Sequence, residues 1–484
     1  MGPGDDEKTH LTAKSSETLP NLIRNKEPLT IGEAIERLSC GFGTVLYCLG
    51  PYGFMIMCGA ELAVMTIVSL ILKCEWGLST FWTSIVQVVG MLTGTIFGLF
   101  LSNLGDRFGR RRMLILATFG VIVMGVLSGL SRELWQILVC RALLGLTVAI
   151  GAGPAATYSA EIPTIKFRSL SLSSVGIGWG IGTALGSGLA YLTLGPYGWR
   201  GYLIMVALLC LPVLILLLMI RESPRYDIRV GNMENAKKTL KSLSRMNCST
   251  ELEDVEIVND QNGEELQVTT FYQSYQVLKT TGHTADFWKL ILLTVTGQFI
   301  HMGMLYVAPR FMNDQGSSHL DSTKIIQNHS CSFDDSVLFD LGIIGLADPI
   351  SVSIALLLVD KIGRRNLLFV STIIPLLAMI PFYFEISSSL TLVVLIVTRG
   401  SMAVVGWLNF VIGSEYFPTS VRSFTSSIVN VCTGLSGVAS SFVVQYAYDE
   451  SSTLATAVLH MALLATILAV YSIKREMMGQ QLEQ

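Results

Sequence analysis

Gly105-Asp106-Arg107-Phe108-Gly109-Arg110-Arg111 and Asp360-Lys361-Ile362-Gly363-Arg364-Arg365 carry one charged pattern at two places, with Asp106 and Asp360 254 residues apart. Glu161 and Glu415 keep the same separation, as do Arg168 and Arg422, and Glu222 and Glu476. Four charged landmarks at one offset mark a parallel internal duplication, each half forming one body of the fold.

The residues around those landmarks are short of charge. Only 14% of the 484 residues are charged and 51% are hydrophobic, with mean hydropathy +0.55, where a soluble protein has about a quarter charged. Residues 1–43, 221–289 and 474–484 hold 36 of the 69 charges, which leaves 33 over the other 361 residues. That surface suits a lipid bilayer. Apolar runs of membrane-spanning length recur at 44–72, 80–101, 113–130, 134–157, 171–193, 200–220, 288–310, 336–359, 367–385, 390–413, 424–447 and 453–473. The expected fold is an all-α membrane protein with twelve transmembrane helices in two six-helix bundles, 44–220 and 288–473. A central loop, 221–287, joins them, with an N-terminal segment, 1–43, and a tail, 474–484.

With a net charge of −3, the chain offers no basic surface for nucleic acid. Its nine cysteines form no C-x-x-C pair and its six histidines no zinc-like cluster. No nucleophile–base pair or nucleotide loop appears, so no enzyme and no cofactor are expected. The acidic N-terminus lacks signal-peptide chemistry, and Asp6 stands where a myristoylation signal needs Ser or Thr.

Orientation follows the Lys/Arg bias of the short loops. One side carries Arg107, Arg110, Arg111, Arg112, Lys166, Arg168, Lys361, Arg364, Arg365 and Arg422; the other carries Lys73, Arg132, Arg200, Arg310 and Lys324. The first is expected to be cytoplasmic, with both termini and the central loop. Asn328, in the sequon Asn328-His329-Ser330, then lies outside as a glycosylation candidate, while the sequon at Asn247 falls inside and stays bare. Cys74 and Cys331 both fall outside and form a candidate disulfide. Thr30-Ile31-Gly32-Glu33 reads as a capping box opening a short amphipathic helix, and 232–246 as a second such helix.

Asp-Arg/Lys-x-Gly-Arg-Arg after the second and eighth spans resembles the loop signature of the major facilitator superfamily. Arg221-Glu222-Ser223-Pro224-Arg225-Tyr226 resembles the motif after the sixth helix in its sugar and organic-ion branches, and Glu415-Tyr416-Phe417-Pro418-Thr419-Ser420-Val421-Arg422 a late organic-ion transporter motif. Thr30-Ile31-Gly32-Glu33-Ala34, Cys74-Glu75-Trp76 and Arg225-Tyr226-Asp227 resemble the synaptic vesicle glycoprotein 2-related transporters. Ser102 departs from the first signature, which opens with Gly, and the Pro-Glu-Thr ending is missing around Glu476. The vesicle proteins carry two acids in helix one, where this chain has Cys58 and Glu61.

The resemblance implies alternating access with a cytoplasmic gate. Asp106 and Asp360 are placed to meet arginines and helix N-termini of their own bundle. Arg107, Arg111, Arg225 and Arg364 belong to the same motifs. Glu161, Arg168, Glu222, Glu415, Arg422 and Glu476 can pair across the bundles. Arg110, Arg111 and Arg112, taken singly, are assigned to orientation. Glu61, Arg141, Asp348 and Arg399 lie inside predicted spans, where each costs about 2.5–3.5 kcal/mol unless it finds a partner or a wet cavity. Glu61 and Asp348 are candidates for taking a coupling proton; Arg141 and Arg399 either bind an anionic substrate or hold those carboxylates. By the resemblance, spans one, four, seven and ten line the cavity, which makes Gln298, His301, Tyr306, Trp407 and Asn409 candidates, and Trp179 matches a family tryptophan.

Two readings follow. The first is a monomeric secondary transporter of a small organic solute, an organic ion or sugar-like, in the plasma membrane or a vesicle membrane. The second is a transporter-shaped receptor that binds a ligand or partner without turnover.

Overall fold

The computed structural model describes residues 29–38, 40–101, 104–249, 257–258, 271–280, 282–316, 331, 333–384, 386–415, 417 and 419–472. Ser102, Asn328 and Glu476 lie outside them, as do the side chains of Glu415 and Arg422.

The first half holds α1 (Ile31–Arg37), α2 (Phe42–Glu75), α3 (Thr80–Leu101), α4 (Leu104–Phe108), α5 (Arg110–Gly129), α6 (Leu134–Glu161), α7 (Ile165–Leu208) and α8 (Leu211–Met219). Three short helices follow, α9 (Pro224–Arg229), α10 (Met233–Met246) and α11 (Phe271–Thr280). The second half holds α12 (Thr284–Gly316), α13 (Asp335–Ile362), α14 (Arg364–Ala378), α15 (Ser388–Glu415), α16 (Thr419–Glu450) and α17 (Ser452–Ser472). β1 (Leu29–Thr30) pairs in parallel with β2 (Ile257–Val258).

Among the described residues, eleven stretches are long and apolar enough to cross a membrane. The fifth of them, Ile165–Met219, is 55 residues long. Straight, it would reach about 80 Å, against a hydrocarbon core of about 30 Å. Gly198 breaks it, because its φ of 63° and ψ of −177° are not helical, and only glycine adopts such a turn without steric cost. Trp199 Nε1 then donates to Glu75 Oε2 at 2.6 Å, and Arg200 Nε to the Ser131 carbonyl at 3.4 Å. The turn therefore lies at the face where α2 ends, and the 55 residues are long enough for two passes. The sequence places the fifth and sixth spans at 171–193 and 200–220, with the break falling between them.

The same conformational demand explains the glycine in each duplicated motif. Gly109 (φ 105°) and Gly363 (φ 89°) both precede a helix whose first residues are the paired arginines. Both positions require the region that L side chains rarely enter.

At the arginine-rich face, Thr30 caps α1. Its Oγ1 accepts from the Glu33 N–H at 3.3 Å, and Glu33 Oε2 accepts from the Thr30 N–H at 3.0 Å. Asn247, just after α10, ties that helix to the start of α2. Its Oδ1 accepts from the Thr44 N–H at 3.1 Å and its Nδ2 donates to Thr44 Oγ1 at 2.8 Å. The side chain is buried, so the second sequon offers no amide for a glycan, whatever side it occupies.

Candidate functional site

Each half buries one acid–arginine pair at mid-span. In the first, Arg141 of α6 donates through Nη1 to Glu61 Oε2 of α2 at 2.5 Å. Both residues are at most 5% exposed. Among the described residues, Glu61 Oε1 and Arg141 Nε and Nη2 reach no hydrogen-bond partner. The pair therefore keeps one acceptor and two donor groups in reserve.

The second pair is more fully bonded. Arg399 of α15 grips Asp348 of α13 with Nε on Oδ1 at 3.0 Å and Nη2 on Oδ2 at 2.9 Å. The same Nη2 donates to Thr183 Oγ1 of α7 at 3.1 Å, so the pair reaches into the other bundle. His301 Nε2 of α12 stands 3.6 Å from Asp348 Oδ2, within ion-pair range but beyond a hydrogen bond. Both arginines thus hold carboxylates in this conformation. The planar fork of arginine suits this bidentate grip.

The other cavity candidates fall into two groups. Trp407 and Asn409 of α15 are buried, and the Trp407 indole nitrogen and Asn409 Oδ1 reach no partner among the described residues, whereas Asn409 Nδ2 donates to Thr294 Oγ1 at 2.6 Å. Trp407 lies beside Gly176 of α7. Gln298 and Trp179 are half-buried. Tyr306 is fully buried, its hydroxyl 3.7 Å from Met91 Sδ across the bundle boundary.

At the arginine-rich face the motif residues engage within the first bundle. Asp106 Oδ1 meets Arg110 Nη2 at 2.9 Å and Arg229 Nη1 at 3.2 Å. Arg110 also reaches Glu161 Oε1 at 2.9 Å, and Ser223 Oγ donates to Glu161 Oε2. Glu222 accepts from the Arg111 N–H at 3.0 and 3.1 Å, capping the start of α5. Arg111 itself bonds the carbonyls of Leu217 and Leu218, while Arg107 lies over the Phe108 ring. Arg110 is 1% exposed and its guanidinium lies 4.9 Å from the Tyr226 ring centroid. It is thus a buried structural cation, a role that goes beyond the orientation assigned to it from the sequence. Arg168 Nε and Arg225 Nε reach no partner among the described residues. In the second half, Arg364 Nη1 meets Asp360 Oδ1 at 3.1 Å.

Asp227 follows Arg225 and Tyr226 and is buried beside this network. Burial and the Glu222 carboxylate push its carboxyl up to about 6, against the opposing pull of Arg112. A folded-state value above the unfolded one means that its contribution to stability is full below about pH 4 and is lost as the pH rises through about 6. Asp227→Asn should remove that loss. Between pH 5 and 7 the wild type should fall by roughly 1 kcal/mol relative to the variant, read as the difference in unfolding free energy at the two pH values.

The opposite face is closed by contacts between the halves. Lys73 Nζ of α2 meets Asp449 Oδ1 of α16 at 3.2 Å; Thr80 of α3 donates to the same carboxylate, and Arg310 of α12 binds it at 2.6 Å. Deeper in, Ser441 Oγ donates to Gln87 Oε1 at 2.7 Å, and Gln87 Nε2 to Ser69 Oγ at 2.9 Å. Cys74 and Cys331 are joined by a disulfide with Cα atoms 5.7 Å apart. The uncharged residues Thr183, Gln87, Ser69 and Ser441 gave no signal in the sequence.

Eleven membrane-spanning stretches among the described residues, one of them long enough for two passes, a duplicated half and paired buried charges define a secondary transporter of the major facilitator fold. The family described as Sugar (and other) transporter matches residues 47–484, and the chain belongs to it. It is 24% identical to the synaptic vesicle 2-related protein of Rattus norvegicus over 471 residues, covering 94% of this chain and 82% of the relative. It is 28% identical to the arabinose-proton symporter of Bacillus subtilis over 409 residues, covering 81% and 83%. Its fold matches the xylose transporter XylE from E. coli in a partially occluded inward-open conformation, with TM-score 0.70, 18% identity and coverage of 91% and 99%. Membership of this transporter family and the likeness to a symporter support transport over a receptor without turnover.

Proposed function

We propose that the chain couples an inward proton gradient to the movement of a small polyhydroxylated, sugar-like solute, with Glu61 as the proton site. The observation that carries this is the isolated Glu61–Arg141 pair, buried at mid-span with hydrogen-bond capacity left over. Ionised Glu61 holds Arg141. Protonated, it gives up most of that attraction, so the two protonation states favour different helix arrangements. The Trp407 indole N–H and Asn409 Oδ1, without hydrogen-bond partners among the described residues, supply a donor and an acceptor for hydroxyl groups, and the symporter relative takes arabinose by its name. The arginine-rich face is cytoplasmic in this reading, and the membrane is that of the cell surface or of vesicles.

The test uses the full chain in liposomes with L-arabinose and D-xylose as probes. A gradient of one pH unit, acidic outside, supports up to about tenfold accumulation at one proton per solute. Glu61→Gln should keep solute counterflow and lose accumulation. Accumulation that survives in Glu61→Gln would remove the proton role from this residue, and uptake that only equilibrates in the wild type would reduce the chain to a passive carrier.

A further inference from the structure

Alternating access requires the two bundles to part at each face in turn, and on one face a covalent bond joins them. Cys74 is the penultimate residue of α2, in the first half; Cys331 lies four residues before α13, in the second. The bond therefore spans the bundle boundary with little chain to spare. Cys74 is inside a helix, and the link from Cys331 to Asp335 extends at most about 13 Å. Even that reach is restricted, because Phe333 packs against the large hydrophobic core, as does Trp76 beside Cys74. The Asp449 carboxylate lies on the same face, bound from both halves by Lys73, Thr80 and Arg310. Ion pairs of this exposure break and reform readily. A disulfide does not.

We propose that Cys74–Cys331 is a redox-controlled latch that bounds how far this face can open, with the Asp449 cluster as the reversible clasp beneath it. Oxidised, the bond keeps the ends of α2 and α13 together and biases the transporter toward the state open at the arginine-rich face. Reduction transfers two electrons and two protons from two molecules of a small thiol, which leave joined as their own disulfide. Cys74 and Cys331 become free thiols, and the face is then held by the Asp449 cluster and the buried Gln87–Ser441 contact. The inference rests on the alternating access of a secondary transporter, not on the identity of the solute or the coupling ion.

Two readouts test it without any solute. A protease site is placed within 259–270 of the full chain, between the halves, and cut after purification. The halves should run as one band on a non-reducing gel and as two after a thiol reductant; Cys331→Ser should give two bands in either condition. Hydrogen exchange is then followed over 73–84, 333–341 and 441–450. Reduction, or Cys331→Ser, should raise exchange there about tenfold or more and should not raise it over 104–112 on the opposite face, which closes as this face opens. Cys74→Ser/Cys331→Ser should not respond to reductant. Asp449→Asn with the bond intact should raise exchange by less than reduction does. Two bands from unreduced wild type would overturn the proposal. So would equal exchange before and after reduction, or full opening in oxidised Asp449→Asn.

Discussion

Arg141→Ala is expected to cost about 3–5 kcal/mol of folding stability, more than the loss of a surface ion pair by several-fold. The reason is what it leaves behind. Glu61 is 5% exposed at mid-span, its Oε1 lies close to Gly125 and its charge acts on Cys58 and Tyr202, and among the described residues Arg141 is the cation it pairs with. The attraction within the pair does little more than offset the cost of bringing both charges out of water, so the pair is worth much less than either single removal suggests. Arg141→Ala/Glu61→Gln should therefore be more stable than Arg141→Ala alone, and the full cycle should give a coupling of about 1–3 kcal/mol. Thermal unfolding of the four proteins of the cycle in one detergent measures this. Strictly additive effects would place the pair in a hydrated cavity and remove the buried-charge basis for the coupling role of Glu61.

The apolar runs were legible because lipid favours apolar residues over most of a span, and the 254-residue offset exposed the halves before any contact was known. The paired motifs even carried their backbone geometry, since Gly109 and Gly363 stand where positive φ is needed. Other features lay beyond such reading. Three consecutive arginines look alike in sequence, but α5 starts at Arg110, and that phase alone buries it between Glu161 and Tyr226. Thr183, Gln87 and Ser441 bond across the bundle boundary, yet a hydroxyl or amide in an apolar window is common and says nothing about its partner. Cys74 and Cys331 are 257 residues apart, and no spacing rule sets a Cα distance at that range. The sequence located the four buried charges; only tertiary packing decided that each arginine faces an acid.

Asp348→Ala should be as damaging as Arg141→Ala, at about 3–5 kcal/mol, because it strands a guanidinium that is 3% exposed. Its remaining described partner would be Thr183 Oγ1, which satisfies one donor of five. Arg399→Lys should fall between this variant and wild type, since an ammonium cannot keep both carboxylate oxygens and Thr183 in one geometry. Thr183→Ala separates two roles of the cluster. It removes one hydrogen bond, worth about 0.5–1.5 kcal/mol, and leaves the ion pair whole. That bond crosses from α15 to α7, so its loss should loosen the bundle boundary more than it lowers global stability. Hydrogen exchange along 177–188 should rise in Thr183→Ala while the unfolding temperature stays near wild type. If Asp348→Ala cost no more than Thr183→Ala, the charges would have to be solvated, and the mid-span link between the bundles would fall to the packing of α7 against α13.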